Sequence, residues 1–279
     1  DTDSQVYWTN YTVDSAATVR GVYSSGAGVY LVATTGLAWV GSATDAWVPL
    51  DLPPELAGMD LNGLWAAGAE DTLELAIAAD NGFVAIYSLG AWTVHNLGAR
   101  DNVAIAGTSG TNLYVGGENG IHRWDGAAWA KETSNEPNAM WAWDGGAVAV
   151  GNEGNVMFRD GTGVWTVSAT GKSANLRGVD GSSATNIWAV GDISVLLHWD
   201  GTAWESESSD SVATLNAVFV PDAESAIAVG NAGTALKFNG KKWNILATDT
   251  NQNMYAVHGV SGSNAWGTGD AGLAMQYKE

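Results

Sequence analysis

Apolar and polar residues alternate with a period of two along most of the chain, in short runs separated by Gly, Asn and Asp. Alternation of this kind predicts half-buried β-strands, and the separating residues favour tight turns. Residues 175–213 carry four such runs, with Asp200 and Gly201 at a hairpin turn. The predicted strands of this unit are 176–179, 187–190, 195–199 and 203–207. No segment shows the 3.6-residue period of an amphipathic helix.

The same four-strand pattern recurs along the chain, and a Trp that follows the last turn of each unit gives the count. These residues are Trp8, Trp47, Trp92, Trp129, Trp165, Trp204 and Trp243. They lie 36 to 45 residues apart when the end of the chain is joined to its beginning. Four-stranded units of about 40 residues are typical of β-propeller blades.

The sequence therefore predicts an all-β fold, a seven-bladed β-propeller with four antiparallel strands per blade in one domain, 1–279. The last unit has no Trp-bearing fourth strand, so we expect the run 5–13 to complete it. That pairing would close the ring and remove two open sheet edges. The predicted blades are 18–57, 58–100, 101–137, 138–174, 175–213, 214–253, and 254–279 plus 1–17.

Two kinds of repeated residue have a structural explanation. We expect each repeated Trp to lie on an outer strand, with its indole N–H donating to a carbonyl. The turns between second and third strands need Gly, Asn and Asp, and they place acidic residues around one rim of the ring. These residues are Asp80, Glu118, Glu153, Asp192 and Asp270. A solvated acidic rim explains them, and a cation site at Asp80, Asp192 and Asp270 is the alternative.

The predicted innermost strands share a Leu-x-Gly-Val pattern, and its second position is the candidate ligand site. The residues assigned to that position are Arg20, Asn62, Val103, Trp141, Arg177, Asn216 and Tyr255. Arg, Asn and aromatic side chains around an axial opening suit an anionic or hydroxylated ligand. The ligand-binding candidates are Arg20, Asn62, Trp141, Arg177, Asn216 and Tyr255. The alternative is that both arginines pair with nearby acids, which outnumber them.

Charge and composition exclude several classes of function. Acidic residues number 30 and basic residues 11, which gives a formal net charge of −19. A chain this acidic repels phosphate, so we expect no nucleic-acid partner. The chain has no Cys, which excludes disulfides and thiolate chemistry. No apolar run is long enough to span a bilayer, so we expect no membrane insertion. The acidity is spread over all the blades and is typical of proteins adapted to high salt.

The fifth unit carries a recognisable signature, Ile187-Trp-Ala-Val-Gly-Asp followed by His198-Trp-Asp-Gly-Thr-Ala-Trp204. It resembles the repeats of secreted bacterial and archaeal seven-bladed propellers, over the whole length of the chain. It also resembles the photosystem II assembly-factor propellers and the Asp-box repeat of sialidases. It departs from the Asp box because Asp200 and Gly201 are adjacent. The resemblance implies a secreted propeller, with assembly factors and sialidases as the functional comparisons.

The catalytic groups that a sialidase-like enzyme needs do not stand out. Such an enzyme requires an arginine triad, a Tyr nucleophile and an Asp acid. The chain has five Arg, of which Arg123 and Arg159 fall on predicted third strands away from the rim. The four His occupy non-equivalent positions in different units, without metal-ligand spacing. We therefore expect a non-enzymatic protein with no cofactor and no catalytic residue.

The leading hypothesis is a non-catalytic binding or assembly module that presents one propeller face to a protein or glycan partner. A spike, decoration or adhesin on a cell or virion surface, in a halophilic setting, fits the acidic, helix-free chain. Such a role includes assembly into a larger surface structure. One alternative is a lectin or glycan-active enzyme that uses Arg20, Trp141, Arg177 and Tyr255 at the axial mouth. Another alternative is an assembly factor.

Overall fold

The computed structural model describes residues 8–25, 28–44, 46–68, 70–98 and 100–279. It is a ring of seven sheets, each with four antiparallel strands, and this confirms the predicted propeller. The blades are numbered along the chain, and the strands of each blade are given from the channel outwards. The strands of blades 1 to 3 are β2 Val19–Ser25, β3 Gly28–Ala33, β4 Leu37–Gly41 and β5 Val48–Pro49; β6 Leu61–Ala67, β7 Glu74–Ala79, β8 Phe83–Ser88 and β9 Ala91–Asn96; and β10 Asn102–Ser109, β11 Asn112–Gly117, β12 Gly120–Trp124 and β13 Trp129–Thr133.

The remaining blades repeat this order, and the last one takes its outer strand from the beginning of the chain. Their strands are β14 Ala139–Trp143, β15 Gly146–Val150, β16 Val156–Arg159 and β17 Trp165–Ser168; β18 Leu176–Ser183, β19 Asn186–Gly191, β20 Leu196–Trp199 and β21 Trp204–Glu207; β22 Leu215–Asp222, β23 Ser225–Gly230, β24 Ala235–Phe238 and β25 Trp243–Leu246; and β26 Met254–Ser261, β27 Asn264–Gly269, β28 Leu273–Lys278 and β1 Trp8–Thr12.

The ring is closed by the pairing of β1 with β28, as the sequence predicted. Trp8 pairs with Tyr277 at one end of this ladder, and Thr12 pairs with Leu273 at the other. Residues 5–7 of the predicted closing run lie outside the described residues. The pairing covers the outer edge of the last sheet, which would otherwise expose unpaired backbone groups.

The core lies between the blades and is richest on the second strand of each sheet. Every residue of β15 and β19 is buried, because both faces of these strands are covered by neighbouring blades. A strand covered on both faces is apolar along its whole length instead of alternating, and this explains the runs of Ala, Val and Ile. The outer strands are far more exposed; β21 carries Glu205 and Glu207 on the surface.

The turns between second and third strands tie each blade to the next one. In most blades the turn is one turn of 3-10 helix whose second residue has positive φ. In blades 1, 2, 4 and 6 the N–H of that residue donates to an Asp or Asn just before the next inner strand. Asn81 donates to Asp101 Oδ1 at 3.0 Å, and Glu153 donates to Asn175 Oδ1 at 3.2 Å. In blade 5 the residues with positive φ are Ile193 and Ser194, and Ile193 has a β-branched side chain that is 78% exposed.

The repeated tryptophans are structural, but one part of that prediction was wrong. Six of them lie on outer strands, and Trp47 comes directly before β5. The indole N–H of Trp92 donates to the Asp51 carbonyl at 3.1 Å, and that of Trp165 donates to the Glu132 carboxylate. Four others have a buried indole N–H without a partner among the described residues: Trp8, Trp129, Trp204 and Trp243. The rings are held by aromatic packing instead.

Candidate functional site

The inner strands of the seven blades contact one another around an axial channel. In six blades the candidate position of the Leu-x-Gly-Val pattern is an extra residue that interrupts the pairing with the second strand. A β-bulge of this kind re-aims a side chain out of the ladder. The seven equivalent residues surround one opening of the channel and are called the mouth layer. They are Arg20, Asn62, Val103, Asn138, Arg177, Asn216 and Tyr255.

Blade 4 contributes Asn138 to the mouth layer, so the prediction of Trp141 at this position was wrong. Ala139 pairs with Val150 in blade 4, in the same place as Gly178 pairs with Val190 in blade 5. The residue before Ala139, Asn138, is therefore equivalent to Arg177. Trp141 lies three residues further along the inner strand, near the other end of the channel. The sequence Met140-Trp141-Ala142 resembles Met254-Tyr255-Ala256 of blade 7, and this likeness suggested a register that is three residues too far along the strand.

The two arginines of the mouth layer are both ion-paired, as the alternative explanation predicted. Arg20 donates from Nη2 to Asp60 and from Nη1 to Asn62, each at 3.3 Å. Arg177 donates from Nε to Asp192 at 2.5 Å. Their side chains remain 42% and 45% exposed. The terminal nitrogens of Arg177 make no hydrogen bond within the described residues, so they are available to a ligand.

The asparagines of the mouth layer act as links between blades. The Asn216 amide donates to Asn231 Oδ1 on its own turn and to the Met254 carbonyl of the next blade, both at 2.8 Å. Asn62 and Asn138 make the equivalent pair of hydrogen bonds, at 2.8 to 3.0 Å. Two of the predicted ligand residues, Asn62 and Asn216, therefore also hold the ring together, and Asn138, which the sequence did not single out, does the same.

The rim carboxylates are occupied by protein donors. The three predicted as a cation site are Asp80, Asp192 and Asp270. Each accepts a hydrogen bond from the mouth-layer side chain of its own blade, from Asn62, Arg177 and Tyr255 respectively. Over the ranges that the structure describes, no three His, Cys, Asp or Glu side chains are grouped as metal ligands.

Below the mouth layer the channel passes through two rings of non-polar residues, which are called the waist. The first ring is small: Gly21, Gly63, Ala104, Ala139, Gly178, Ala217 and Ala256. The second ring is larger: Val22, Leu64, Ile105, Met140, Val179, Val218 and Val257. The small ring allows the inner strands to approach closely, because a Cβ on Gly178 would lie 2.8 Å from Ala217 Cα.

Beyond the waist a second ring of side chains, called the aromatic layer, surrounds a cavity of about 220 Å³. Its members are three residues further along each inner strand than the mouth layer: Tyr23, Trp65, Ala106, Trp141, Asp180, Phe219 and His258. All of them except Phe219 line the cavity. Trp141 stacks on Trp143 with ring centroids 5.2 Å apart, and Tyr23 and Phe219 pack on His258 at 4.7 and 5.0 Å.

The aromatic layer holds two titratable groups with strongly shifted pKa values. Burial raises the pKa of Asp180 to about 7, although the Val220 N–H donates to its Oδ2 at 2.6 Å. Burial lowers the pKa of His258 to about 4. The His258 Nδ1 accepts a hydrogen bond from the Ser24 N–H at 3.1 Å, so the neutral ring carries its proton on Nε2. Neither shift has a charged partner as its cause.

Comparison with known proteins supports the architecture. No protein-family model matches the chain, and no curated protein matches it. A structure of YCF48 bound to D1 peptide is similar over 100% of this chain and 98% of that chain, with a TM-score of 0.79 and 14% identity. A virginiamycin B lyase from Staphylococcus aureus is similar over 98% and 99%, with a TM-score of 0.80 and 10% identity. The WD40 repeats of RRP9 are similar over 96% and 97%, with a TM-score of 0.78 and 10% identity. At these identities the likeness shows the seven-bladed fold.

Sequence reasoning did not single out Asp180 and His258, the two residues with the most perturbed electrostatics. The signal was the position three residues after the mouth layer, where aromatic and titratable residues recur in otherwise apolar inner strands. An alignment of the seven inner strands would have shown this position.

The described residues contain no helix that is long and apolar enough to cross a bilayer.

Proposed function

We propose that this chain is a non-catalytic binding module that captures a segment of a protein partner at the mouth layer. One observation carries the proposal: side chains from all seven blades converge on one opening, and Arg177 presents free guanidinium donors there. A guanidinium with free terminal nitrogens offers a fork of donors that matches a carboxylate. The partner segment would therefore carry a carboxylate, from Asp, Glu or a chain terminus.

The surrounding charge sharpens this choice of partner. With a net charge of −19, most of the surface repels an acidic segment, so attraction is confined to the mouth layer. A similar propeller, YCF48, has been solved with a bound D1 peptide, which supports peptide capture as a use of this architecture. The lectin alternative is weaker, because Trp141 lies beyond the waist and the Tyr255 hydroxyl donates to Asp270.

A peptide library tests the proposal directly. Displayed random 12-residue peptides are selected on the purified chain, and enriched sequences are titrated against wild type, Arg177→Ala and Arg100→Ala. Arg100 is the matched control, since it also pairs with a turn carboxylate, Glu118, but lies outside the mouth layer. We expect carboxylate-bearing peptides whose affinity falls at least ~10-fold in Arg177→Ala and is unchanged in Arg100→Ala.

Two results would overturn the proposal. An equal loss of affinity in both variants would indicate general charge attraction and not a site. Enrichment of no peptide, together with binding on a glycan array that Arg177→Ala abolishes, would replace the protein partner by a carbohydrate.

We also propose that the module works outside the cell in a saline environment, as a spike, decoration or adhesin on a cell or virion surface. The support is the excess of 30 acidic over 11 basic residues. Self-repulsion of such a surface is relieved when salt shortens the Debye length to about 3 Å near 1 M. We expect the thermal midpoint to rise between about 0.1 and about 2 M KCl. A midpoint that falls over this range would contradict the halophilic setting.

A further inference from the structure

The aromatic layer differs from the mouth layer in having a carboxylate without a cation. Asp180 lines the cavity together with Tyr23, Trp65, Trp141 and His258. No Lys or Arg lines this cavity among the residues that the structure describes. The carboxylate therefore shares its cavity with aromatic side chains, whose ring faces carry partial negative charge. A carboxylate in a cavity lined by aromatic side chains is an environment that attracts a positive group.

We propose that the aromatic layer is a second binding site, distinct from the mouth layer, which takes an alkylammonium group paired with Asp180 and flanked by Trp141 and Tyr23. The site goes beyond the function proposed above, since it lies past the waist and uses no mouth-layer residue. It is independent of whether the mouth layer binds a protein.

The size of the cavity selects a small group. At about 220 Å³ it is smaller than the ~300–1,000 Å³ pockets that hold whole drug-sized ligands. An ammonium group with a short alkyl stem fits this space, because the stem contacts the rings while the charge meets the carboxylate. A polar but uncharged ligand would supply no positive charge to pair with Asp180.

The hydrogen bonds of Asp180 favour ammonium over guanidinium. The backbone N–H groups of Val220 and Gly181 already donate to this carboxylate. An ionised carboxylate offers about four acceptor positions, so about two remain. A planar guanidinium binds best when both oxygens are free for a parallel pair of hydrogen bonds. An ammonium is a compact charge that needs only one free position.

Among the described side chains that line this cavity, Asp180 is the one that carries charge near pH 7, since its pKa is about 7. His258 is neutral at pH 7 because its pKa is about 4, and burial raises the pKa of Tyr23 above its usual value, so the phenol stays protonated. The nearest cations of the channel, Arg20 and Arg177, pair with carboxylates at the mouth layer. Burial raises the pKa of Asp180 to about 7, and a bound ammonium would bring that pKa down.

Two probes of the same shape test the charge requirement. Saturation-transfer NMR is used to titrate n-butylammonium chloride and, in parallel, uncharged 1-butanol at pH 7.5. The variants are Asp180→Asn, which keeps an oxygen to accept the Val220 N–H, and Asp210→Asn. Asp210 is the matched control because it removes the same charge from an exposed position in the linker before β22.

We expect butylammonium to bind at least ~10-fold more tightly than butanol, and this preference to disappear in Asp180→Asn but not in Asp210→Asn. Equal binding of the two probes, or butylammonium binding that Asp180→Asn leaves unchanged, would overturn the proposal.

A second measurement uses the wild-type chain alone, so it does not depend on the folding of a variant. The ¹³C signal of the Asp180 carboxyl is titrated with and without saturating butylammonium. We expect the pKa of Asp180 to fall by one unit or more, because a ligand that binds the ionised carboxylate tenfold more tightly than the protonated form lowers the pKa by one unit. An unchanged pKa would show that the ammonium binds elsewhere.

The natural source of the ammonium group is then separated by one further probe. Nα-acetyl-lysine methylamide carries the same alkylammonium on a peptide backbone. If it binds as tightly as butylammonium, the group is a lysine side chain of a protein. If it is excluded while butylammonium binds, the ligand is a free amine.

Discussion

The two ends of the axial channel are built from the same seven inner strands, yet their chemistry is opposite. At the mouth layer, Arg20, Asn62, Asn138 and Asn216 are tied into hydrogen bonds with turns and neighbouring blades. At the aromatic layer, Asp180 keeps two backbone donors, and the described part of the chain places no Lys or Arg in the lining of its cavity. One end is therefore a hydrogen-bonded network that strengthens the ring and leaves the Arg177 terminal nitrogens open to a ligand. The other end holds a carboxylate whose cavity is lined by no Lys or Arg within the described ranges.

This difference arises from a shift of three residues along each inner strand. The bulge at the mouth layer turns its side chain towards the turns, where polar partners are abundant. Past the waist the strand regains regular pairing, and side chains face only rings and other inner strands. Position along one strand thus decides which partners a polar group finds: turn and neighbouring-blade groups at the mouth layer, and aromatic rings past the waist.

The largest expected effect is a pH-dependent penalty at Asp180. Its pKa is about 7 in the fold and near 3.8 when unfolded, so the unfolded chain releases its proton first as pH rises. Stability contributed by the protonated group is complete below pH 4 and lost as pH rises towards 7, by about 3 to 4 kcal/mol. Asp180→Asn removes this loss. Urea unfolding of both chains from pH 4 to 7.5 measures it, and parallel curves would contradict it.

A nearly equal effect of opposite sign is expected at His258. Its pKa is about 4 in the fold and 6.5 when unfolded, so the unfolded chain binds a proton first as pH falls. The fold therefore loses about 3 kcal/mol as pH falls from 6.5 to 4. His258→Asn keeps an acceptor for the Ser24 N–H and removes this dependence. The same unfolding series tests it: the variant should lose less stability in acid than the wild type.

The next effect concerns the waist, which separates the two ends. Gly178→Ala places a Cβ 2.8 Å from Ala217 Cα and 3.0 Å from the Asn216 carbonyl oxygen. Backbone atoms cannot rotate away, so we expect a loss of about 2 to 3 kcal/mol. The control is Gly161→Ala, where the nearest atom is 3.4 Å away and the loss stays within ~0.5 kcal/mol. Similar thermal midpoints for the two variants would show that the blades can spread.

A smaller loss is expected from a mouth-layer asparagine. Asn216→Ala removes hydrogen bonds to Asn231 and to the Met254 carbonyl, and we expect a loss of about 1 to 2 kcal/mol. The control is Val103→Ala at the equivalent position of blade 3, where the side chain makes no hydrogen bond and is 38% exposed. If chemical denaturation gives the two variants the same stability, the mouth layer does not strengthen the ring.

The smallest effect is a gain in stability. Ile193 has a φ of 53° and is 78% exposed on the turn of blade 5, where a β-branched side chain is strained. Ile193→Asn suits this backbone conformation, and we expect a gain of about 0.5 to 1 kcal/mol. Val212→Asn removes an 83% exposed Val without a positive φ and should change little. Equal effects in a thermal scan would assign the gain to lost hydrophobic exposure instead of relieved strain.

The repeat made the fold predictable, because recurring Trp and turn residues reveal the blades without knowledge of any contact. The closing strand was predictable too, since one unit lacked its fourth strand. The mouth layer was predictable in six blades and failed in the fourth, where Met140-Trp141-Ala142 imitates the Met254-Tyr255-Ala256 sequence of blade 7 three residues beyond the true position. The aromatic surroundings of Asp180 could not be predicted from the sequence, because they depend on which blades face each other across the channel.

The closing ladder has a mechanical consequence. Trp8 pairs with Tyr277 at the end of the ladder where β1 begins and β28 finishes. Tension applied between these two residues acts on that end of the ladder alone. The backbone hydrogen bonds between β1 and β28 therefore break one after another instead of resisting the force together. A force that reaches the ring through the blade faces meets all seven sheets together. The propeller therefore resists a force applied to its faces better than a force that pulls β1 away from β28.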